Sequence, residues 1–325
     1  MLGKVDSKTL ERFVFSRLGI EDKDVFVGSR YGEDSAAIKV NDKFLVISAD
    51  PLIFAESRIG QLGVNIACND VAVCGAKPRW MLSVITLPKG KLNKIDEITK
   101  QIDREAKKIG VQIIGGHTEI VPEISRPFLS MACIGITDRY VYTSGARSGD
   151  EIILTKSAGI EATGIVATDF KDELLKKGLS KGEVRRAESK LGEISVVKEC
   201  LAISNIVNSM HDPTEGGVLG GALEVSIASG RDLEIWEDRI PVDRVTRKVC
   251  GAMKLDPLKM FASGALLTTT KKGKTVVKEL EKSNISSNII GKVGSRSKNP
   301  RLTLHRGSRA EEIREVRDEL YDLWG

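Results

Sequence analysis

The sequence predicts a protein of two domains whose first half mixes strands and helices in an α/β arrangement. The chain has 325 residues, which is long for one hydrophobic core and suits two. In the first half, short apolar runs typical of buried strands alternate with helical patterns. Small turn residues cluster at 143–150, so we predict domains over 1–146 and 147–325.

The first half predicts three helices and four strands. Apolar residues at helical spacing indicate the helices, and short apolar runs that end at turn residues indicate the strands. The predicted helices cover 10–19, 60–75 and 95–109, and the predicted strands cover 44–47, 81–87, 111–114 and 129–136.

The second half predicts a further set of strands and helices. Predicted strands cover 151–155, 266–270 and 289–293. Predicted helices cover 159–170, 194–209, 217–229 and 275–280, and a charged amphipathic helix is expected over 310–324. The heavily charged segment 171–193 indicates a solvated helix or loop.

Composition and charge narrow the classes of function. Apolar residues make up 41% and charged residues 29%, as in a soluble globular protein. A net charge of +5 permits anionic substrates, and 5% aromatic residues leave little for stacking bases, so no nucleic-acid partner is expected. Five cysteines without a CxxC pair fit a reducing cytoplasm. Because no signal peptide or run of 18 apolar residues is present, we expect a cytoplasmic protein with no membrane partner.

The first candidate motif is a glycine loop, Gly32-Glu33-Asp34-Ser35. Such a loop can present carboxylates to a metal ion and backbone amides to phosphate. The alternative is an ordinary surface turn, in which glycine and aspartate are common. Asp50, which follows an apolar strand, could line the same site, although Asp-Pro is also a routine turn.

The second candidate is Asn69-Asp70 within an apolar helix. A charge in such surroundings is costly unless it is paired or bound to a cation. A metal ligand satisfies this need. The alternative is a helix cap or a buried structural hydrogen bond.

Two further motifs each place glycine beside polar residues. Gly115-Gly116-His117-Thr118 follows a predicted strand, where paired glycines suit a tight turn beside a ligand. His117 could bind metal or phosphate, or be an ordinary hydrogen-bonding residue.

The segment 211–217 precedes a predicted helix, with Asp212 near its start. Thr214 could cap this helix, while Gly216 and Gly217 allow a phosphate near its N-terminus. The alternative is a capping loop without a ligand.

The order of these motifs resembles the superfamily of aminoimidazole ribonucleotide synthetase (PurM), the hydrogenase maturation factor HypE, thiamine monophosphate kinase and selenophosphate synthetase. The resemblance covers nearly the whole chain and rests on 32–38, 48–51, 64–78, 115–118 and 211–217. The second half is most similar to HypE, through 211–217, 255–258 and 263–264.

This resemblance implies a PurM/HypE-like fold. Its N-terminal mixed α/β domain pairs strands with a second subunit in a homodimer, an α+β domain follows, and ATP with Mg²⁺ lies in clefts between domains and subunits. It implies metal binding by Asp34, Asp50 and Asp70, and catalytic roles for Asp70, His117 and Asp212. The implied cofactor-binding residues are Gly32, Asp34, Ser35, Asn69, Gly115, Gly116, Thr118, Thr214, Gly216 and Gly217.

The sequence also departs from its relatives. Their residue at the position of His117 is normally acidic, and HypE has lysine where this chain has Glu119. HypE ends in a cysteine that carries its carbamoyl group, whereas no cysteine follows Cys250 here.

We therefore expect an ATP-dependent enzyme acting on a different acceptor, a small carbonyl, amide or phosphorylated molecule. The alternatives are a nucleotide-binding partner in metalloenzyme maturation that does not turn ATP over, and a thiamine monophosphate kinase.

Overall fold

Two β-sheets organise the protein, one in each half of the chain. The computed structural model describes residue 3, residues 5–52 and residues 54–324. The first sheet has the order β1-β2-β3-β6-β4-β5 and the second has the order β13-β12-β9-β11-β7-β10-β8. The strands of the first sheet are β1 (Val25–Val27), β2 (Ala36–Val40), β3 (Lys43–Leu52), β4 (Lys77–Pro88), β5 (Gln112–Val121) and β6 (Phe128–Thr137). Those of the second are β7 (Glu151–Thr155), β8 (Ser209–His211), β9 (Arg231–Trp236), β10 (Leu267–Thr270), β11 (Ser287–Arg296), β12 (Leu302–Arg306) and β13 (Arg309–Ile313).

Helices cover the sheets and fill the space between the two halves. In the first half they are α1 (Ser7–Leu10), α2 (Ile59–Val73) and α3 (Lys94–Ile109). In the second half they are α4 (Ile160–Asp169), α5 (Lys171–Lys176), α6 (Lys181–Glu188), α7 (Val197–Ile203), α8 (Gly217–Ser229), α9 (Arg244–Met253) and α10 (Gly273–Lys282). A mixed α/β first half followed by a second half of sheet and helices confirms the predicted fold class. Within the described ranges, no helix has both the length and the apolar character needed to cross a bilayer.

Helix α2 is the central element of the fold. Nearly every residue of α2 is buried, which is typical of a helix enclosed on all sides. It packs on β3 and β6 of the first sheet, on α3, and on α7 and β8 of the second half. One hydrophobic core therefore runs from Cys68 of α2 to Ile194 and Val196 in the second half. Any polar side chain on α2 consequently lies in a buried environment between the two halves.

The segment with paired glycines is a strand and not a turn, so that prediction was wrong. β5 pairs in parallel with β4 from Gln112 as far as Val121, with one irregularity in the register between Met81 and Leu82. Gly116 has φ +147°, and a Cβ there would lie 1.8 Å from the Ser83 carbonyl oxygen. The glycine is required by the close approach of β4 and does not mark the exit of a strand.

Both ends of the chain also differ from the sequence expectation. Residues 310–324 were predicted to be one helix, but Arg309–Ile313 pairs with β12 across a turn at Gly307, and only a 3₁₀ turn at Glu319–Leu323 follows. Cross-strand pairing has overridden the helix-favouring residues of this segment. Near the start, α1 ends at Leu10 and a π turn follows over Glu11–Phe15. The apolar side chains that predicted a packed helix there, among them Phe13 and Leu18, are exposed.

The charged segment 171–193 is helical but only partly solvated. It forms α5, α6 and a 3₁₀ turn at Ser189–Glu193. This segment contributes three side chains to the core, those of Leu174, Val184 and Leu191. The predicted helix over 194–209 is shorter than expected, because the chain leaves α7 at Ile203 and enters β8 at Ser209.

Candidate functional site

An acidic cleft lies between the two halves of the protein. Its volume is about 480 Å³, within the range of small-molecule sites. Its wall contains apolar and aromatic side chains, including Phe54, Phe261 and Tyr321. Among the lining residues that the structure describes there is no lysine, arginine or histidine. The acidic lining residues are Glu33, Asp34, Asp50, Asp70, Glu161, Asp212 and Glu215.

Asp70 is the buried carboxylate of α2. Its Oδ2 accepts a hydrogen bond of 2.7 Å from the Ser48 hydroxyl on β3. Burial first, and then the nearby carboxylate of Asp50, raise the pKa of Asp70 well above its usual value; Asp212 and Asp34 add to the effect. The predicted juxtaposition of Asp34, Asp50 and Asp70 is therefore present in the structure.

Asp34 is held in the loop between β1 and β2. Its Oδ2 accepts 2.9 Å hydrogen bonds from the Thr143 hydroxyl and from His211 Nδ1. The neighbouring Glu33 accepts from the backbone amides of Thr143 and Ser144. The glycine loop of the first half is thus fixed to the segment that connects the two sheets, and it is not a free surface turn.

Asp212 has no hydrogen-bond partner among the described residues. It follows β8, is 1% exposed, and both of its carboxylate oxygens are buried. Burial, and then the charge of Asp34, raise the pKa of Asp212 well above its usual value. An unpaired buried carboxylate is costly, and a hard divalent cation is the partner that carboxylate oxygens suit best. Asp34 and Asp212 lie close enough to hold one cation, and Asp50 and Asp70 line the same cleft, so the chemistry of these donors fits Mg²⁺.

His211 joins the two halves beside Asp212. Its Nδ1 lies 2.9 Å from Asp34 Oδ2, and its Nε2 lies 2.9 Å from Glu224 Oε2 on α8. Burial alone would lower the pKa of His211, but the two carboxylates outweigh burial and hold it well above its usual value. The two carboxylates therefore favour the positively charged form of the ring.

Several residues of this arrangement have no assigned role in the sequence prediction. Ser48 and His211 lie in segments 48–51 and 211–217, on which the family resemblance rests. Their nearness in sequence to Asp50 and Asp212 was the only indication that they belong to the site. Thr143 and Glu224 had no signal, because only the fold brings them to Asp34 and His211.

Asn69 makes structural hydrogen bonds between the two halves, and its predicted role in cofactor binding stays a prediction. The side chain is fully buried, donates to the Ile194 carbonyl and accepts from the Val196 amide, both at 2.9 Å. With both ends of the amide used, the alternative of a buried structural hydrogen bond is the one observed. Asn69 ties α2 to the second half.

Gly32 and Ser35 also have structural contacts. A Cβ on Gly32, which has φ +84°, would lie 2.7 Å from the Cβ of Ala228 in α8. The Ser35 hydroxyl donates to the Asp70 carbonyl at 3.0 Å. These contacts position the Asp34 loop, so a direct role of either residue in cofactor binding is not supported by the geometry of one chain.

The residues of the β5 motif lie away from the cleft of the same chain. Gly115, Gly116, His117 and Thr118 are absent from its described lining, and the side chain of His117 is 65% exposed. His117 Nε2 lies 3.5 Å from Glu119 Oε2 on the sheet surface. The prediction that His117 joins Asp70 and Asp212 in one site is therefore not met within a single chain.

The backbone amides at the start of α8, Gly216 and Gly217, already have hydrogen-bond acceptors within the chain. The Gly216 amide donates to Asp318 Oδ2 at 2.8 Å, and the Gly217 amide donates to the Thr214 carbonyl at 3.1 Å. Thr214 lines the cleft, but its side chain does not cap α8. A phosphate at Gly216 and Gly217 would have to displace these bonds, so the predicted phosphate contact there is not supported.

Two family models match the sequence of this chain. The N-terminal domain family of AIR synthase related proteins matches residues 32–137, and its C-terminal domain family matches residues 147–301. The chain belongs to the AIR synthase related family. This membership confirms the resemblance on which the fold class was predicted.

Relatives of this AIR synthase related chain include proteins named for hydrogenase maturation. It is 29% identical over 283 residues to a protein of Methanocaldococcus jannaschii named for hydrogenase expression and formation, covering 83% of this chain and 81% of the relative. It is also 29% identical over 249 residues to the carbamoyl dehydratase HypE of Cupriavidus necator, covering 73% and 69%.

A solved structure of HypE shows the same fold. The HypE of E. coli has a TM-score of 0.71 and 23% identity, covering 83% of this chain and 85% of that one. A HypE structure in complex with ATP has a TM-score of 0.70 at 21% identity, covering 84% and 86%.

Proposed function

We propose that this protein is a Mg²⁺-dependent, ATP-using enzyme that phosphorylates or activates a small acceptor in the cleft. The observation that carries the proposal is Asp212, whose two buried oxygens have no partner among the described residues and lie beside Asp34. Relatives named selenide, water dikinase and a HypE solved with ATP support an ATP-using activity.

In this proposal the four aspartates hold the metal and the rest of the site orients them. Asp34, Asp50, Asp70 and Asp212 supply oxygen ligands, and bound Mg²⁺ supplies neutralisation of the triphosphate charge. The Ser48 hydroxyl fixes one oxygen of Asp70. Catalysis of this type depends mainly on positioning and electrostatics, so fixed carboxylates are the contribution expected from this chain.

The lining of the cleft favours a neutral or positively charged acceptor. Within its described lining there is no cationic side chain to meet a phosphate group on the acceptor, while Phe54, Phe261 and Tyr321 offer apolar and aromatic contacts. A carbonyl or amide compound therefore fits better than a phosphorylated metabolite or thiamine monophosphate. Incubation with thiamine monophosphate and ATP, with ADP release as the readout, tests directly for thiamine monophosphate kinase activity.

Calorimetric titration with a slowly hydrolysed ATP analogue, with and without Mg²⁺, tests the nucleotide site. We expect Mg²⁺-dependent binding that is lost in Asp70→Asn and Asp212→Asn. Asp96→Asn is the matched control, because Asp96 is exposed on α3 far from the cleft lining. Binding that is absent in the wild type, or equal in Asp212→Asn, would contradict the proposal.

The alternative is a nucleotide-binding partner in metalloenzyme maturation that does not turn ATP over. The relative named for hydrogenase expression and formation favours it, as does the fold shared with a HypE solved as a complex with HypF. Binding of the ATP analogue without ADP release, across a panel of carbonyl and amide acceptors, would support this alternative over the enzyme.

We also propose that the protein is a homodimer through β5. This ten-residue strand pairs only with β4 in the described part of the chain, and Ile114 and Ile120 on it are exposed, as are Leu82 and Val84 on β4. Exposed edge strands with apolar side chains invite strand pairing. A dimer formed here is the remaining route by which Gly115, Gly116, His117 and Thr118 could serve a nucleotide site. Sedimentation of the wild type and of Ile120→Lys should show a dimer and a monomer respectively.

A further inference from the structure

The environment of His211 differs from that of a metal ligand. The imidazole is 3% exposed and lies at the end of β8, directly before Asp212. Its Nδ1 lies 2.9 Å from Asp34 Oδ2 in the first half, and its Nε2 lies 2.9 Å from Glu224 Oε2 on α8 of the second half. The ring therefore bridges two carboxylates that come from different halves of the chain.

Both ring nitrogens are used by these contacts. Each nitrogen already has a carboxylate oxygen within hydrogen-bond distance, so neither is turned towards a cation in the cleft. Asp34, His211 and Asp212 lie close enough to suggest a three-ligand site, with ligand atoms within 4.8 Å of one another. With both nitrogens against carboxylates, the position of His211 fits the support of that site better than its ligand set.

The consequence for Asp34 is a fixed carboxylate. Its Oδ2 accepts from both His211 and Thr143, at 2.9 Å each. Two donors on one oxygen set the plane of the carboxylate and leave Oδ1 as the oxygen for a cation in the cleft. Partners that orient the ligands of a metal contribute about 10–100-fold to its affinity.

We propose that His211, itself held by Glu224, is a positioning residue that orients Asp34 for the divalent cation and does not bind the cation. The inference rests on the proposed Mg²⁺ site. The pair of His211 and Glu224 also closes the Asp34 loop onto α8, which makes the geometry of the metal site depend on the contact between the two halves.

Titration of the full-length protein with Mn²⁺ alone, followed by calorimetry, tests the role of Glu224. Glu224→Ala, which leaves the ring without its second acceptor, should weaken Mn²⁺ binding about 10-fold or more. Glu224→Gln keeps a carbonyl acceptor for Nε2 and should restore affinity to within about threefold of the wild type. Loss of charge alone would instead make the two variants alike, which would overturn the positioning role.

Variants on the other side of the ring complete the test. His211→Gln should weaken Mn²⁺ binding about 10–100-fold, and Thr143→Val, which keeps the side-chain shape, should weaken it by a smaller factor. His305→Gln is the matched control, because His305 faces Glu234 at 3.2 Å in the second sheet, away from the cleft lining. Its Mn²⁺ affinity should equal that of the wild type. Thr143→Val also keeps the test decisive if His211→Gln fails to fold.

Zn²⁺ distinguishes a positioning residue from a ligand. Imidazole is a preferred ligand of Zn²⁺ and a poor one for Mn²⁺ relative to carboxylate. If His211 were a ligand, His211→Gln would weaken Zn²⁺ binding much more than Mn²⁺ binding, and the proposal would fail. Mn²⁺ binding by the wild type with equal affinity in Glu224→Ala and Thr143→Val would overturn the positioning role and leave the metal site intact. A wild type that binds no Mn²⁺ would overturn both.

Discussion

Asp318 makes the stability of this protein depend on pH, and Asp318→Asn isolates its contribution. Asp318 is 1% exposed in the C-terminal segment, and its two oxygens accept from the backbone amides of Gly216 and Leu320. Burial raises the pKa of Asp318 to about 7, and the nearby charges of Glu215 and Glu161 add to the effect, although the two amides oppose it. The carboxyl group therefore keeps its proton in the folded protein at pH values where the unfolded chain has lost it.

The size and sign of the effect follow from the two pKa values. The unfolded value is near 3.8 and the folded value about 7. Each pKa unit corresponds to about 1.4 kcal/mol, so this one group can change the free energy of unfolding by about 4 kcal/mol. Between these pH values the folded state binds more protons than the unfolded state. The stabilising contribution is therefore complete below pH 4 and is lost as pH rises to 7.

Urea unfolding of the wild type and of Asp318→Asn at pH values from 4 to 8 measures this contribution. Asparagine cannot accept from both amides, so at pH 4 the variant should be less stable by about 1 kcal/mol. The free energy of unfolding of the wild type should then fall relative to the variant as pH rises, by up to about 4 kcal/mol, and the order of stability should reverse. A difference between the two proteins that stays constant from pH 4 to 8 would refute the reasoning.

Three further predictions concern Asp212, Asn69 and Gly116. Asp212→Asn should raise the melting temperature of the metal-free protein, because it removes a buried charge without a described partner, and calorimetry without divalent cations checks this. Asn69→Ala should lower the free energy of unfolding by about 2–4 kcal/mol, since it leaves the Ile194 carbonyl and the Val196 amide unpaired; a loss below 1 kcal/mol in urea would contradict its role as a tie. Gly116→Ala should destabilise the first sheet, whereas Gly182→Ala, in an α-helix with open space, should not; equal melting temperatures would show that β4 can yield.

The local pattern of apolar residues predicted two buried helices closely. The helix expected over 60–75 is observed as Ile59–Val73, and the one expected over 217–229 is observed as Gly217–Ser229. Elements decided by distant partners could not be predicted in this way. β5 continues through two glycines because β4 lies beside it, and β13 forms because β12 pairs with it. The strand predicted over 81–87 becomes part of β4, but a local pattern of apolar residues does not show which strands will pair.

Some residues of the candidate site could also be predicted from the sequence and others could not. Motifs and family resemblance identified Asp34, Asp50, Asp70 and Asp212, whose chemistry is evident from residue type and position. The neighbours that orient them could not be found, since His211 is 177 positions from Asp34 and Thr143 is 109 positions from it. Asn69 is a different case. Its residue type suits a ligand, and only the fold shows that both ends of its amide are used in joining the halves.

The electrostatics of the site connect binding to stability. The pKa values of Asp70 and Asp212 in the cleft are both raised, and burial is the largest cause for each. Because the described lining of the cleft contains no basic residue, the folded protein is least stable when the carboxylates are ionised and no cation is bound. A ligand that binds only the folded state stabilises it in proportion to the logarithm of its concentration relative to its Kd. A divalent cation should consequently raise the melting temperature of the wild type more at pH 8 than at pH 5, where protons already neutralise these groups. Cation-induced stabilisation that is equal at the two pH values would show that these aspartates are not its ligands.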